Sequence, residues 1–252
     1  MASLVTARSG LTVNFTLVLK AIADLVNMKL NVTLLVIFVN LVFLPVMAGG
    51  AYQLLPADEA NRDLEFVEFR ARMIEAVENK EPEVLVTMIA PRVFNGLNEK
   101  RGMKRFLEKW EPESVDSELW STLKPILTMG GGFVRSEKGV EFCAPYVFSH
   151  FPDDMDIFAH GAVISENVAL KKEPSVKSKT LRSLSYDLVQ VQDWVSTQDK
   201  ANEAVNWIKV VTMKGDAGYV NRRFVRSPSD YSACFLKTKR RGWKLNSLLS
   251  GE

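Results

Sequence analysis

The sequence predicts an α+β protein in which an N-terminal helical/α+β domain with a β-hairpin is followed by a small β-barrel. Between residues 58 and 127, apolar residues recur at the three-to-four spacing of helices that bury one face. From residue 132 onward, short segments alternate between apolar and polar residues and are separated by turn residues. At 252 residues, 47% of them hydrophobic, the chain is long enough for one large or two small cores.

The N-terminal region predicts export. No charged residue lies between Lys29 and Asp58, and residues 32–44 are almost entirely apolar. Met28-Lys29 resembles a basic n-region and Val46-Met47-Ala48 fits a small-x-small cleavage pattern, so residues 1–48 are predicted to be an extension plus a signal peptide, with the true start at Met28 and cleavage after Ala48. The predicted location is periplasmic or secreted. The alternative is a retained inner-membrane anchor, because an uncharged run of this length can span ~30 Å of hydrocarbon.

Residues 49–159 are predicted to form the α+β domain. The stretch DLEFVEFRARMIEAV places Leu64, Val67, Met73, Ile74 and Val77 near one face of an amphipathic helix. Three shorter helices are predicted at residues 82–89, 100–110 and 117–129.

A hairpin is predicted to follow at residues 132–148, with its turn at residues 137–139. The triple glycine 130–132 in front of it is interpreted as a flexible turn. A phosphate-binding loop is excluded because no Lys-Ser/Thr pair follows the glycines.

Residues 160–228 are predicted to form the barrel. The segments NVALKKEPS, TLRSLSYDLVQV, WIKV, GDAGYV and RRFV follow one another in the order and spacing of the bacterial SH3 family, and the stretch 162–226 resembles that family. Trp207 matches its strand tryptophan, and Gly218-Tyr219-Val220 matches its Gly-Trp/Tyr-Val. Lys171-Lys172 and Tyr186-Asp187 depart from the pattern at places where the family often has one arginine and a glycine turn.

The resemblance implies binding rather than chemistry, because such modules accompany exported proteins and several are thought to recognise peptidoglycan peptides. The candidate ligand-binding residues are Tyr186, Trp194, Tyr219, Lys172 and Arg222, since planar rings offer apolar area and cations pair with peptide carboxylates. The alternative is that aromatic residues on these strands belong to the core.

Charge is distributed unevenly along the chain. Residues 49–160 carry 13 Lys/Arg against 20 Asp/Glu, whereas residues 161–252 carry 16 against 9. Either the two halves lie against each other, or the basic half faces an anionic partner. Nucleic acid is not predicted, because the basic turn 239–241 is short and typical of an exposed hairpin tip.

The predicted function is that of a non-catalytic cell-envelope protein whose barrel holds a peptide, peptidoglycan or protein partner. The alternative is a cell-wall hydrolase with its active site in residues 58–150. Cys143, His150 and His160 are the residue types of a cysteine peptidase, but Phe142-Cys143-Ala144-Pro145 does not resemble a nucleophile motif. No catalytic residue, metal ligand or cofactor is predicted.

The last segment, residues 229–252, is predicted to be a hairpin with an apolar face of its own. An isolated two-stranded sheet is marginal in water, so this hairpin is expected to pack on the hairpin at 132–148, which makes the barrel an insertion. Cys143 and Cys234 would then lie on neighbouring strands. They would form a disulfide if their Cα atoms are ~4.4–6.8 Å apart, or they would act as two small buried hydrophobic residues.

Overall fold

The computed structural model describes residues 5–6, 12–13, 52–96, 101–136, 139–199, 202–239 and 241–250. The chain divides into two compact units, residues 1–50 and 51–252. In the first unit, strand β1 (Val5–Thr6) pairs antiparallel with β2 (Thr12–Val13). The predicted signal peptide or anchor at residues 28–48 lies outside the described residues. Within the described ranges, no helix is both long enough and apolar enough to cross a membrane.

The second unit has mixed α+β architecture with two sheets, so the predicted α+β class is confirmed. Its helices are α1 (Leu64–Glu78), α2 (Pro82–Thr87), α3 (Met103–Trp110), α4 (Glu118–Thr128) and α5 (Tyr146–Ser149). The strands of its first sheet are β3 (Ile89–Phe94), β4 (Gly132–Ser136), β5 (Gly139–Ala144), β13 (Ser232–Thr238) and β14 (Gly242–Leu249), which lie in the order β3-β14-β13-β5-β4.

Helix α1 covers one face of this five-stranded sheet. It begins after Asp63, whose carboxylate accepts a hydrogen bond from the Phe66 amide at 3.1 Å and so caps the first turn. Its buried residues are Phe66, Phe69, Met73, Ala76 and Val77. The predicted apolar face was partly wrong, because Leu64 in the first turn is 74% exposed whereas the two phenylalanines pack into the aromatic centre of the core.

Strand β3 was not predicted from the sequence, because the preceding helix was expected to continue to Ile89. Helix α2 ends at Thr87, and β3 follows with Pro91 in its middle. Proline cannot donate to a ladder, so it is confined to edge strands. The strand order places β3 at the edge of the sheet, where it pairs in parallel with β14.

The triple glycine lies where the chain packs closely against its neighbours, and it is not the flexible turn that was predicted. Gly130 has φ +74°, and a Cβ atom there would overlap the Ala57 carbonyl group. A Cβ on Gly131 would overlap the Cys143 carbonyl oxygen, and one on Gly132 would overlap the His150 ring. These glycines let the chain enter β4 against its neighbours.

The predicted hairpin 132–148 consists of β4 and β5 and is shorter than expected. β5 ends at Ala144, and the residues after Pro145 form the single helical turn α5 instead of more strand. The predicted turn residues 137 and 138 lie outside the described residues.

The second sheet has seven strands: β6 (His160–Val163), β7 (Val168–Lys171), β8 (Thr180–Leu184), β9 (Leu188–Asp199), β10 (Asn202–Thr212), β11 (Ala217–Asn221) and β12 (Val225–Arg226). Their order is β12-β6-β9-β10-β11-β7-β8. The predicted small barrel is not present as a closed barrel, because β12 and β8 remain as two separate edges. A core of mostly aliphatic residues, with Leu170, Val189 and Ile208 among them, lies on one face of this sheet.

The C-terminal hairpin β13–β14 belongs to the first sheet. β13 pairs antiparallel with β5, and Cys234 lies directly opposite Cys143. The two cysteines form a disulfide with their Cα atoms 4.1 Å apart, slightly closer than the range expected from sequence. The seven-stranded sheet therefore lies, in sequence, between two adjacent strands of the five-stranded sheet.

A small apolar cluster joins the two sheets. Its buried members are Leu54, Tyr146, Val147, Ala162 and Leu188. Leu54 lies in the segment 52–63 before α1, which we call the entry segment, and the others come from α5, β6 and β9. The Tyr146 hydroxyl has no hydrogen-bond partner among the described residues, and burial raises the pKa of Tyr146 to about 12. The tyrosine thus serves as a packing residue that stays protonated at any physiological pH.

Candidate ligand-binding site

The outer face of the seven-stranded sheet carries a row of polar and aromatic side chains. Tyr219 on β11 lies opposite Lys209 on β10 and opposite Lys171 on β7, and Lys209 also lies opposite Asp193 on β9. Directly paired residues of antiparallel strands project to the same side of a sheet. Lys209 and Asp193 are exposed, and Tyr219 and Lys171 are half-buried.

The loop at residues 172–179, which joins β7 to β8, borders this row and is strongly basic. Together with Lys171 it contains four lysines against one glutamate, and it folds back so that the Lys171 ammonium donates to the Ser178 carbonyl at 3.0 Å. Val176 in this loop is 42% exposed. We call Lys171, Trp207, Lys209, Tyr219 and the loop 172–179 the aromatic–lysine face.

One buried carboxylate organises the aromatic–lysine face. Asp199, at the end of β9, is fully buried and accepts hydrogen bonds from the Val176 amide at 2.6 Å and from the Trp207 indole Nε1 at 3.0 Å. These two hydrogen bonds hold the loop next to the Trp207 indole, which is only 4% exposed. A buried carboxylate is costly unless it is hydrogen-bonded, so these two donors help to hold Asp199 in place.

The structure places the five predicted ligand residues in three locations. Tyr219 and Lys172 belong to the aromatic–lysine face. Trp194 and Arg222 lie together on another part of the seven-stranded sheet, where the guanidinium carbon is 5.2 Å from the centre of the indole ring. The Trp194 Nε1 donates to the Phe158 carbonyl at 2.8 Å. Each of these two side chains already has structural partners, since Arg222 also donates to the Val225 carbonyl at 2.6 Å.

Tyr186 lies apart from both groups, in the turn between β8 and β9. Its φ is +58°, its carbonyl accepts from the Leu54 amide at 2.8 Å, and its amide donates to the Ser165 carbonyl at 3.3 Å. This residue therefore ties the entry segment to the seven-stranded sheet.

Lys171, Lys209 and Asp199 were not among the predicted site residues. A signal for the first is present in the lysine-rich stretch 171–179, of which only Lys171-Lys172 was singled out, as a departure from a family pattern. Lys209 becomes relevant only through its register with Tyr219. For Asp199 we find no signal in the sequence, since its role depends on long-range contacts to residues 176 and 207.

The residues considered for a cysteine peptidase are engaged elsewhere. Cys143 is in the disulfide and has no thiolate to act as a nucleophile. The His150 Nδ1 is 3.0 Å from the Ser149 hydroxyl, and the His160 Nδ1 is 3.0 Å from the Asp156 carbonyl. In the described part of the chain, no three His, Cys, Asp or Glu side chains are grouped so that they could hold a metal ion.

Comparison with known proteins gives no match among family models, curated proteins or solved structures.

Proposed function

We propose that this protein is a non-catalytic binding protein of the cell envelope, which holds an anionic peptide or peptidoglycan stem peptide on the aromatic–lysine face. The observation that carries the proposal is the register of Tyr219 between Lys209 and Lys171, beside the lysine-rich loop. The resemblance of residues 162–226 to the bacterial SH3 family supports a binding role. The predicted export signal supports the location.

The chemistry of the site suits an extended ligand with carboxylates. The half-buried Tyr219 ring offers flat apolar area at a small cost in side-chain entropy. Lys209 and Lys171 lie on either side of the ring. A ligand that lies across the strands would therefore contact one lysine on each side of the tyrosine. Exposed ion pairs contribute only ~0.2–1 kcal/mol each, and the affinity should therefore be modest and depend on several lysines together.

Salt dependence follows from the same exposure. Interactions between exposed charges are screened over ~8 Å at physiological ionic strength. Binding should consequently weaken as salt is raised, whereas a contact limited to the tyrosine ring would not.

The test is co-sedimentation of the full-length protein with purified peptidoglycan at low and high salt. The double variant Lys171→Glu/Lys209→Glu should lose about tenfold or more in affinity, because four unit charges change beside the ring. The matched control is Lys214→Glu, an exposed lysine in the β10–β11 turn, which should stay within about twofold of the unmodified protein. Equal loss in both variants, or no binding by the unmodified protein, would refute the proposal.

A further inference from the structure

A second concave surface lies on the five-stranded sheet, on the side away from α1. In β13 and β14, Phe235 and Leu245 point into the core cluster, so the alternating neighbours Leu236 and Lys244 point to the other side. There the β13–β14 turn and β3 enclose a groove of about 360 Å³. This volume falls within the range of small-molecule sites.

The groove combines an apolar floor with a basic rim. Leu236 from β13 and Ala90 and Pro91 from β3 supply apolar surface, and Lys239 and Arg241 stand at the turn. Both of these cations are exposed, and neither makes an ion pair with another described residue. By contrast, the neighbouring Lys237 is held by Asp63 at 2.9 Å and Glu65 at 3.0 Å.

The third cation, Lys244, is fixed at the wall of the groove. Its ammonium donates to the Thr87 carbonyl at 2.6 Å, which leaves two further N–H donors. Three cations around one apolar floor, none of them in an ion pair with another described residue, form a surface complementary to an anion that has an apolar body.

We propose that this groove binds a single-chain amphipathic carboxylate, of the chemical class of a medium-chain fatty acid. The carboxylate pairs with Arg241, whose planar guanidinium matches it with two parallel hydrogen bonds, and with Lys239. The alkyl chain lies on Leu236, Ala90 and Pro91. A free monomeric ligand fits better than a membrane surface, because the apolar residues form the floor of a concave groove and do not protrude.

This inference does not rest on the proposed function, since the groove and the aromatic–lysine face share no residue. The test is calorimetric titration of the full-length protein with hexanoate, octanoate and decanoate. Affinity should rise by up to about fourfold for each methylene that the groove buries. Decyltrimethylammonium, with the same chain and the opposite charge, should bind at least about tenfold more weakly than decanoate.

Variants assign the binding to the groove. Lys239→Glu/Arg241→Glu reverses the rim charge at exposed positions, and Ala90→Phe fills the floor; each should reduce decanoate affinity about tenfold or more. The matched control Lys214→Glu should leave it unchanged, as should Lys171→Glu/Lys209→Glu, which separates this site from the aromatic–lysine face. Thermal unfolding shows whether Ala90→Phe is folded. If it is not, the loss of decanoate binding by Lys239→Glu/Arg241→Glu alone tests the site.

Three outcomes would overturn the inference. They are equal binding of decanoate and its cationic counterpart, decanoate binding that survives both groove variants, and groove variants that impair binding only to anionic phosphatidylglycerol vesicles. The last result would assign the surface to a membrane instead.

Discussion

Asp199 shows how much of the candidate site depends on a single residue. Its carboxylate is the common acceptor for the loop 172–179 and for the strand tryptophan, two parts of the chain that are 31 residues apart. The sequence resemblance identifies Trp207 as a strand tryptophan and Lys172 as a candidate ligand residue. It does not identify the acceptor, because a carboxylate at the end of a strand is typical of solvent-exposed positions.

Replacement of Asp199 by Ala should lower the free energy of unfolding by about 2 kcal/mol, since it removes the acceptor of the buried Trp207 indole N–H and of the part-buried Val176 amide. Chemical denaturation measures this loss, and hydrogen exchange of the Val176 amide should accelerate. The matched control is Glu166→Ala, an exposed acid before β7, which should change stability by less than about 0.5 kcal/mol. Similar stability of both variants would show that Asp199 does not hold the loop.

Asp63 links stability to pH. Burial raises the pKa of Asp63, but hydrogen bonds from the Lys237 ammonium and the Phe66 amide outweigh burial and lower it below its usual value. A lowered folded-state pKa gives stability that is present above the unfolded value, near 4, and is lost as the pH falls through the folded value.

Asp63→Asn should therefore lower stability at pH 7 and flatten the loss of stability below about pH 4, because it removes the charge while asparagine still caps α1. The effect at pH 7 should be small, about 1 kcal/mol or less, since Lys237 is exposed and its charge is screened. Urea denaturation at pH 7 and pH 3 measures both parts. An unchanged slope between the two pH values would contradict this role for Asp63.

At the scale of elements, the helical periodicity and the strand alternation predicted most of the secondary structure. α4 lies within two residues of its expected bounds, and β13–β14 form the hairpin expected in residues 229–252. The misses have local causes. Pro91 is unusual in a strand, so the edge strand β3 was not predicted. Leu64 was assigned to the buried face of α1 but is exposed. The stretch after Pro145 is a helical turn that no periodic pattern marks. Closure of the second sheet could not be judged from short strand motifs, because it depends on which edges pair.

Gly218 marks the close approach of β11 to β7. A Cβ there would lie 2.7 Å from the Lys171 carbonyl oxygen and 2.9 Å from Leu170. Gly218→Ala should therefore destabilise the protein by about 1–3 kcal/mol and displace Lys171 from Tyr219. Chemical denaturation tests the stability, and peptidoglycan binding tests the displacement. The adjacent exposed Ala217→Ser serves as control, and a Gly218→Ala variant as stable as this control would argue against a packing role.

At the scale of the whole molecule, the two halves of opposite charge are joined by apolar contacts. The cluster around Leu188 and Val147 lies at the junction between residues 52–159 and the seven-stranded sheet. In the five-stranded sheet, Lys237 of the basic half pairs with Asp63 and Glu65 of the acidic half. Direct ion pairs between the halves therefore act beside the apolar contacts, although exposed pairs of this kind contribute little stability.

The Cys143–Cys234 disulfide spans the whole insertion, because 91 positions separate its cysteines and the seven-stranded sheet lies between them. A cross-link that closes a loop of this length restricts the unfolded chain, and loop-closure entropy corresponds to about 4–5 kcal/mol of stability. The double variant Cys143→Ser/Cys234→Ser should lose a stability of this order. Wild-type protein unfolded in a reducing buffer should lose a similar amount, while the variant should not respond to the reductant. Urea denaturation of both proteins, with and without reductant, measures the effect. Equal stability of the oxidised and reduced wild type would mean that pairing of β13 with β5 alone holds the insertion in place.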